Sequence, residues 1–291
     1  MRARTNLAAL AVVALFIATA CGSTSQAATG PKSLISEIQT RGELRLGVAP
    51  QDPFSFQDAK TGEWGGVFVD IMADYAKAMN VKLVTVPTTF SNMVAGLQAG
   101  QFDIASVLNA RPARALVVTF SNPVETELGS FAVSGTTLTT YDLLNQSTNT
   151  VCVAQGAAED LSLTIANPKI QIQRLADENA CRLAVQTGRA NAIFDDWNSN
   201  GPFVKANPAY HIIFPPTPFV EEGIAYAINQ GYSYSDIAAI NVEISSYVGR
   251  GLLAQSLAKW GAVDPVQFAA VAADVPVYVK TLEAQQFPGG S

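Results

Sequence analysis

The sequence predicts an α/β fold in two lobes, each with a mostly parallel sheet flanked by helices. Apolar runs of strand length alternate with amphipathic helical patterns along most of the chain, and this alternation is typical of βαβ units. The length of 291 residues exceeds that of one small domain, and a content of 48% hydrophobic residues supplies ample material for packed cores.

The segment 90–123 joins a helix, a strand and an arginine-bearing loop in a tight order. Ser91 is expected to cap the helix, and Gly100 is expected to end it in a left-handed conformation. A short apolar strand should follow over 102–108, with Arg114 in the loop beyond its carboxyl end. Open α/β sheets bind small ligands at this end of their strands.

Periodicity predicts the remaining elements in the same way. The predicted strands are 44–48, 82–86, 150–154 and one around Ile193, and the predicted helices cover about 69–79, 177–187, 235–248 and 252–260.

The N-terminus has the features of a secretory signal. Two arginines precede an uncharged run over 7–20, which is shorter than the roughly 20 apolar residues that a membrane-spanning helix needs. The run ends in Ala-Thr-Ala-Cys, which resembles the cleavage site of bacterial lipoproteins, where the new N-terminal cysteine is lipidated. We therefore expect a lipoprotein signal peptide over 1–20, a lipid on Cys21 and a flexible tether over 21–33. The protein should be extracytoplasmic and anchored to the cell membrane.

The acidic composition argues against nucleic acid as a partner. The net charge is −6 and the isoelectric point is near 4.8, with no basic stripe to offset them. The chain has one histidine, His211, and no glycine-rich phosphate loop. We expect no metal and no cofactor.

Several short motifs occur in one order between residues 34 and 261. They include Leu44-Arg45-Leu46-Gly47-Val48, Pro53-Phe54-Ser55-Phe56, the run 66–71, the run 188–196 and Lys259-Trp260-Gly261. With the segment 90–123, this order resembles the extracytoplasmic amino-acid-binding proteins of bacterial ABC importers, the extracellular solute-binding proteins of family 3. The resemblance implies a type II periplasmic-binding-protein fold, in which a two-strand hinge joins the lobes.

The resemblance also implies the division of the chain. We expect residues 34–125 and 224–261 to form lobe 1 and residues 126–223 to form lobe 2, while the tail 262–291 lies outside the family pattern. As in the family, the protein should capture a small polar amino acid or related solute between the lobes and deliver it to permease subunits. We expect a monomer without enzymatic activity.

Two residues match the family's contacts with an amino acid. Arg114 matches the arginine that binds the α-carboxylate, and Asp196 matches the aspartate that binds the α-ammonium group. Without the resemblance, we would interpret Arg114 as a surface residue and Asp196 as the cap of a helix that begins at Trp197. Strand alternation turns Asp195 away from Asp196, so we expect Asp195 to be solvated.

Further ligand contacts are implied by position. Phe90 matches an aromatic residue that covers the ligand, and Phe56 lies on the same face as Phe54 at the tip of the first loop. Asn109 takes the place of a ligand-bonding serine or threonine. Ala157 replaces a hydroxyl residue in the turn of lobe 2, and Glu222 adjoins the second crossover.

Cys152 and Cys181 remain once Cys21 is assigned to a lipid. An even pair of cysteines in an exported chain favours a disulfide, and some glutamate-binding members of the family carry a similar pair. Two buried free thiols are the alternative.

Two other functions stay open. A cyclohexadienyl dehydratase is built on the same fold and carries a glutamate where this chain has Glu159, although the helix dipole alone favours a glutamate there. A ligand sensor for a membrane receptor would share every residue named above.

Overall fold

The computed structural model describes residues 32–261. The expected signal peptide over 1–20, the lipidated Cys21, residues 22–31 of the tether and the tail 262–291 lie outside these residues. Within them, no helix is long and apolar enough to cross a membrane.

Strands and helices alternate through the part of lobe 1 that precedes the first crossover. The elements are α1 (Leu34–Arg41), β1 (Glu43–Val48), β2 (Phe56–Gln57), β3 (Trp64–Gly65), α2 (Val67–Ala78), β4 (Lys82–Pro87), α3 (Phe90–Gln98), β5 (Ile104–Asn109), α4 (Pro112–Ala115) and β6 (Val118–Phe120).

Lobe 2 has the same alternation, and two helices of lobe 1 follow it. The elements are β7 (Glu125–Ser134), α5 (Tyr141–Leu144), β8 (Thr150–Ala154), α6 (Ala158–Ala166), β9 (Gln171–Leu175), α7 (Glu178–Gln186), β10 (Ala192–Asp196), α8 (Trp197–Ala206), β11 (Tyr210–Ile213), β12 (Glu221–Asn229), α9 (Tyr234–Gly249) and α10 (Leu252–Trp260).

The main sheet runs in the order β4-β1-β5-β12-β7-β10-β8-β9. Strands β4, β1 and β5 are parallel in lobe 1, and β10, β8 and β9 are parallel in lobe 2. The antiparallel pair β7 and β12 connects the two groups. The predicted α/β fold is therefore confirmed, and two strands cross between the lobes.

Each lobe has its own packed aromatic residues. In lobe 1, the Tyr226 ring lies 5.0 Å from that of Phe68 on α2, and its hydroxyl donates to the Phe68 carbonyl oxygen at 2.7 Å. In lobe 2, the rings of Phe131 and Phe194 lie 4.5 Å apart. Burying such a ring contributes about 1.5 to 3 kcal/mol of stability. Tyr226 therefore holds β12 to α2, and the contact between Phe131 and Phe194 joins the adjacent strands β7 and β10.

Cys152 on β8 and Cys181 on α7 form a disulfide, with Cα atoms 5.4 Å apart. Both side chains are fully buried. The bridge fixes α7 to the sheet of lobe 2, and the alternative of free thiols is wrong for this structure.

Two local predictions in lobe 1 need correction. The N-cap of α3 is Thr89 and not Ser91, which lies in the first turn. Phe54 lies in the turn before β2, so strand alternation does not relate it to Phe56. The two rings pack on different aromatic residues, Phe54 on Phe68 and Phe56 on Trp260.

Candidate ligand-binding site

A cavity lies at the carboxyl ends of β1, β8 and β10. Its empty volume is about 240 Å³, counting the space at its mouth. The lining residues are Pro50, Gln51 and Phe90 of lobe 1 and Ala154, Ala157, Glu159, Glu178, Ile193, Phe194 and Asp195 of lobe 2.

The topology brings these residues together. Pro50 and Gln51 follow β1, Phe90 begins α3, and Glu159 lies in the first turn of α6 after β8. Glu178 is the first residue of α7, which begins because the side chain of the N-cap Asp177 accepts from the Ala180 N–H at 2.8 Å. Parallel strands point their carboxyl ends to one edge, and at that edge the loops of both lobes meet.

Three carboxyl groups face this cavity, and among residues 32–261 no lysine or arginine lines it. The pKa values of Glu159, Glu178 and Asp195 are raised well above the usual ranges of glutamate and aspartate, and burial is the main cause for each group. The site is therefore electrostatically suited to a cation or to a proton.

Glu178 has a partner of opposite charge. It forms an ion pair with Arg182, one turn further along α7. Its Oε2 also accepts the backbone N–H of Asp52 at 3.2 Å, and the Ser199 hydroxyl donates to the Asp52 carbonyl oxygen. These bonds tie the first loop of lobe 1 to lobe 2 beside the cavity.

Arg114 does not line the cavity, but it connects the lobes next to it. Its Nη1 donates to the Asn109 carbonyl oxygen at 3.2 Å and its Nη2 to the Gly156 carbonyl oxygen at 3.0 Å. Burial lowers the pKa of Arg114, and the neighbouring Arg111 lowers it further. A guanidinium has more N–H donors than these two bonds use, so it can also bind a carboxylate.

The two aspartates at the end of β10 have different surroundings. Asp196 is 0% exposed, and its Oδ1 accepts the Asn198 N–H at 3.1 Å as the N-cap of α8. Asp195 is 6% exposed and lines the cavity. The expectation that Asp195 is solvated is wrong, because its face of β10 is covered by α6, α7 and the loops of lobe 1.

Asn109 is engaged with a buried carboxyl group on a crossing strand. Its Nδ2 donates to Oε2 of Glu127 on β7. Glu127 is 0% exposed, and burial is the main cause that raises its pKa to about 8. The Asn109 amide thus supports Glu127 and does not line the cavity.

Glu222 forms an ion pair with Arg111. Nη2 of Arg111 also donates to the Ala158 carbonyl oxygen at 2.8 Å and to the Ser162 hydroxyl oxygen. Arg111 therefore connects lobe 1 and β12 to helix α6 of lobe 2. Glu222 serves this connection in the structure.

The remaining candidates, Phe90, Ala157 and Phe56, differ in whether they line the cavity. Phe90 and Ala157 line the cavity. Phe56 does not, since its ring packs edge-on against Trp260 on α10 at 5.0 Å. Phe56 therefore contributes to the packing of lobe 1.

Sequence reasoning missed Gln51, Glu178 and Glu127 as residues at or beside the cavity. The position of Glu178 could have indicated its role, because it follows the carboxyl end of β9 at the start of a helix. Among residues 32–261, no group of histidine, cysteine, aspartate or glutamate is arranged to hold a metal ion.

Residues 44–262 match the profile of the bacterial extracellular solute-binding proteins, family 3. This chain belongs to that family. A curated relative from Sinorhizobium fredii (strain NBRC 101917 / NGR234), described as a probable amino-acid ABC transporter periplasmic-binding protein, is 27% identical over 165 residues. The match covers 54% of this chain and 55% of the relative, so the chain spans about half the length of that curated relative.

Solved structures of related proteins share the fold. An ancestral amino-acid-binding protein, AncCDT-1, described as a precursor of cyclohexadienyl dehydratase, is 28% identical with a TM-score of 0.71, and the match covers 78% of this chain and 99% of that one. The arginine-bound form of truncated ArgBP from T. maritima is 26% identical with a TM-score of 0.66, and the match covers 72% of this chain and 99% of that one.

Proposed function

We propose that this family 3 protein is the extracytoplasmic solute-binding component of an ABC importer, which captures a small amino acid between its lobes and delivers it to a permease. The observation that carries the proposal is the cavity at the strand ends, lined by residues of both lobes. A ligand held by both lobes stabilises their closed arrangement, which a permease can distinguish from an open one. The related solved structures described above are of amino-acid-binding proteins.

The proposed contacts follow the charges of an amino acid. The α-carboxylate is assigned to Arg114 and the α-ammonium group to Asp196, which both lie beside the cavity and not in its lining. Oδ2 of Asp196 has no hydrogen-bond partner among the described residues. Phe90 and Ala157 are the apolar walls. Phe56, Asn109 and Glu222 are assigned to packing and to contacts between elements.

A ligand screen tests this function. Thermal unfolding of the purified protein would be followed with each common amino acid, with polyamines and with sugars as a control class. A ligand present at about 100 times its Kd adds about 2.7 kcal/mol of stability. Stabilisation by at least one amino acid, and not by sugars, is expected. No response to any amino acid would contradict the proposal.

The proposed function also includes a lipid anchor, a monomeric state and a role in transport, which are tested separately. Cys21 is proposed to carry lipid, so mass spectrometry of membrane-extracted protein should find a modified residue 21 with no segment before it. We propose a monomer, which light scattering tests. Loss of amino-acid uptake after deletion of the gene distinguishes transport from a sensing role.

A further inference from the structure

Glu159 on α6 and Asp195 on β10 form a pair of buried carboxyl groups in the cavity wall. Glu159 is 3% exposed and Asp195 is 6% exposed. No hydrogen-bond donor among the described residues reaches Oε1 of Glu159 or Oδ2 of Asp195. Buried polar atoms are normally satisfied, so two orphan oxygens facing one cavity indicate a missing partner.

The charged groups packed around this pair come from every neighbouring element. They are Glu125 and Glu127 on β7, Asp196 on β10, Glu178 and Arg182 on α7, Asp52 after β1, Arg111 between β5 and α4, Arg114 on α4, and Glu222 on β12. Carboxyl groups outnumber the arginines in this set.

The nearby arginines have other partners. Arg182 pairs with Glu178 and, at 3.4 Å, with Asp52. Arg114 donates to two backbone carbonyl oxygens, and Arg111 pairs with Glu222. Arg182 attracts the Asp195 carboxylate from a distance, but none of the three has a hydrogen bond to the Glu159–Asp195 pair. A buried carboxylate without a cation retains a proton instead.

The position of the two carboxyl groups leads to the same result. Glu159 and Asp195 line one small cavity, and the charge of Glu159 raises the pKa of Asp195. Two neighbouring buried carboxyl groups share a proton, because both cannot be ionised at once without a cation between them. Burial raises the pKa of both Glu159 and Asp195, which agrees with this geometry.

We propose that Glu159 and Asp195 form a subsite for a second cationic group of the ligand, which displaces a proton that the pair otherwise shares. The proposal deepens the proposed function, on which it rests, and names the ligand class as an amino acid with a guanidinium or ammonium side chain. The proton leaves to solvent and an ion pair replaces it. The walls of Phe90, Ile193 and Phe194 suit the methylene groups of such a side chain.

The sign of the pH dependence follows from the exchange. At low pH, protons compete with the cation for the pair, so affinity for a cationic ligand is weakest there. Affinity should rise as pH increases, by up to about tenfold per pH unit where one whole proton is displaced. A neutral ligand of the same shape displaces no proton and should show no such rise.

L-Arginine and L-citrulline are suitable probes, because they have nearly the same shape and differ in side-chain charge. Isothermal titration between about pH 5 and about pH 8 measures both affinities, and buffers with different ionisation enthalpies count the protons released. L-Arginine should bind at least about tenfold more tightly and release up to about one proton per ligand. Equal affinities without proton release would overturn the subsite.

Variants separate the subsite from the rest of the site. Glu159→Gln and Asp195→Asn should weaken L-arginine at least about tenfold, abolish its proton release and leave L-citrulline nearly unchanged. Asp196→Asn should weaken both probes equally, since it is assigned to the α-ammonium group. Glu63→Gln, at an exposed carboxylate, is the matched control and should change neither. Equal losses of both probes in Glu159→Gln would contradict the proposal, and the wild-type titrations decide it if a variant fails to fold.

Agmatine, which has the guanidinium but lacks the α-carboxylate, distinguishes the two proposals. Binding of agmatine when no amino acid binds would support the subsite and contradict the proposed function. Tighter binding of neutral amino acids than of L-arginine would support the proposed function and contradict the subsite.

Discussion

Nη2 of Arg114 in lobe 1 donates a hydrogen bond of 3.0 Å to the carbonyl oxygen of Gly156 in lobe 2. At the same turn, a Cβ atom on Gly156 would stand 2.8 Å from Cα of Ser91 on α3. The turn before α6 therefore meets lobe 1 through both a charged hydrogen bond and direct backbone contact. Separation of the lobes would break both contacts, so they belong to the arrangement that encloses the cavity.

Arg114→Ala should weaken amino-acid binding by about 2 to 5 kcal/mol, because it removes the partner of a partly desolvated carboxylate and one connection between the lobes. Isothermal titration with the ligand found in the screen measures the change. Arg189→Ala is the control, because Arg189 is exposed in lobe 2 and its Nε donates to the nearby Thr187 side chain. Equal affinities of these two variants would show that Arg114 does not bind the ligand.

Gly156→Ala should weaken ligand binding at least about tenfold, because the methyl group collides with the Ser91 backbone when the lobes lie together. Gly188→Ala is a matched control. Gly156 and Gly188 have φ of +78° and +71°, but a Cβ atom on Gly188 meets nothing within 4 Å. Each variant should lose about 1 kcal/mol of stability from backbone strain, measured by urea unfolding.

Only the Gly156 variant should lose affinity in titration. A similar loss of affinity in both variants would mean that backbone strain, and not contact between the lobes, is responsible.

Replacing Cys152 and Cys181 together by alanine should lower the free energy of unfolding by about 2 to 5 kcal/mol. The two cysteines are separated by 29 residues, so the bridge restricts a sizeable loop of the unfolded chain. Urea unfolding measures the difference, and peptide mapping without reduction should find the two residues linked. Reduced wild type should match the double variant, whereas a wild type insensitive to reductant would contradict the stabilising role.

Local sequence patterns predict most of the fold. The limits 252–260 agree with α10, and α7 begins where an aspartate cap is followed by apolar helical spacing. Gly100 has the expected positive φ of 68°. These features depend on the nearest residues in the chain, which a single sequence displays directly.

The sequence is less informative about the cavity, because its walls come from distant segments. Strand alternation places Asp195 and Asp196 on opposite faces, but it does not say which face the opposite lobe covers. It also does not show that Glu127, on a crossing strand, lies against Asn109. Such contacts follow from how the lobes meet, which is not encoded by local periodicity.

The purified protein should bind without turnover of its ligand. Incubation with prephenate should yield no phenylpyruvate, because Glu159 is assigned here to a cation subsite and not to proton transfer. Absorbance of phenylpyruvate in alkali provides the measurement. Product formation by the wild type that is lost in Glu159→Gln would instead support the dehydratase alternative.

The buried carboxyl group of Glu127 should lower the free energy of unfolding of the ligand-free protein as pH rises. Burial raises the pKa of its carboxyl group to about 8, whereas an unfolded glutamate has a pKa of about 4.3. Between these values the folded state retains a proton that the unfolded state has lost, so the free energy of unfolding falls by up to about 1.4 kcal/mol per pH unit for this proton. Glu127→Gln keeps an acceptor for Asn109 but cannot ionise, and should reduce this slope in urea unfolding between about pH 5 and about pH 8. Glu63→Gln should keep the wild-type slope, and parallel pH profiles of wild type and Glu127→Gln would show that the Glu127 carboxyl is ionised in the folded protein.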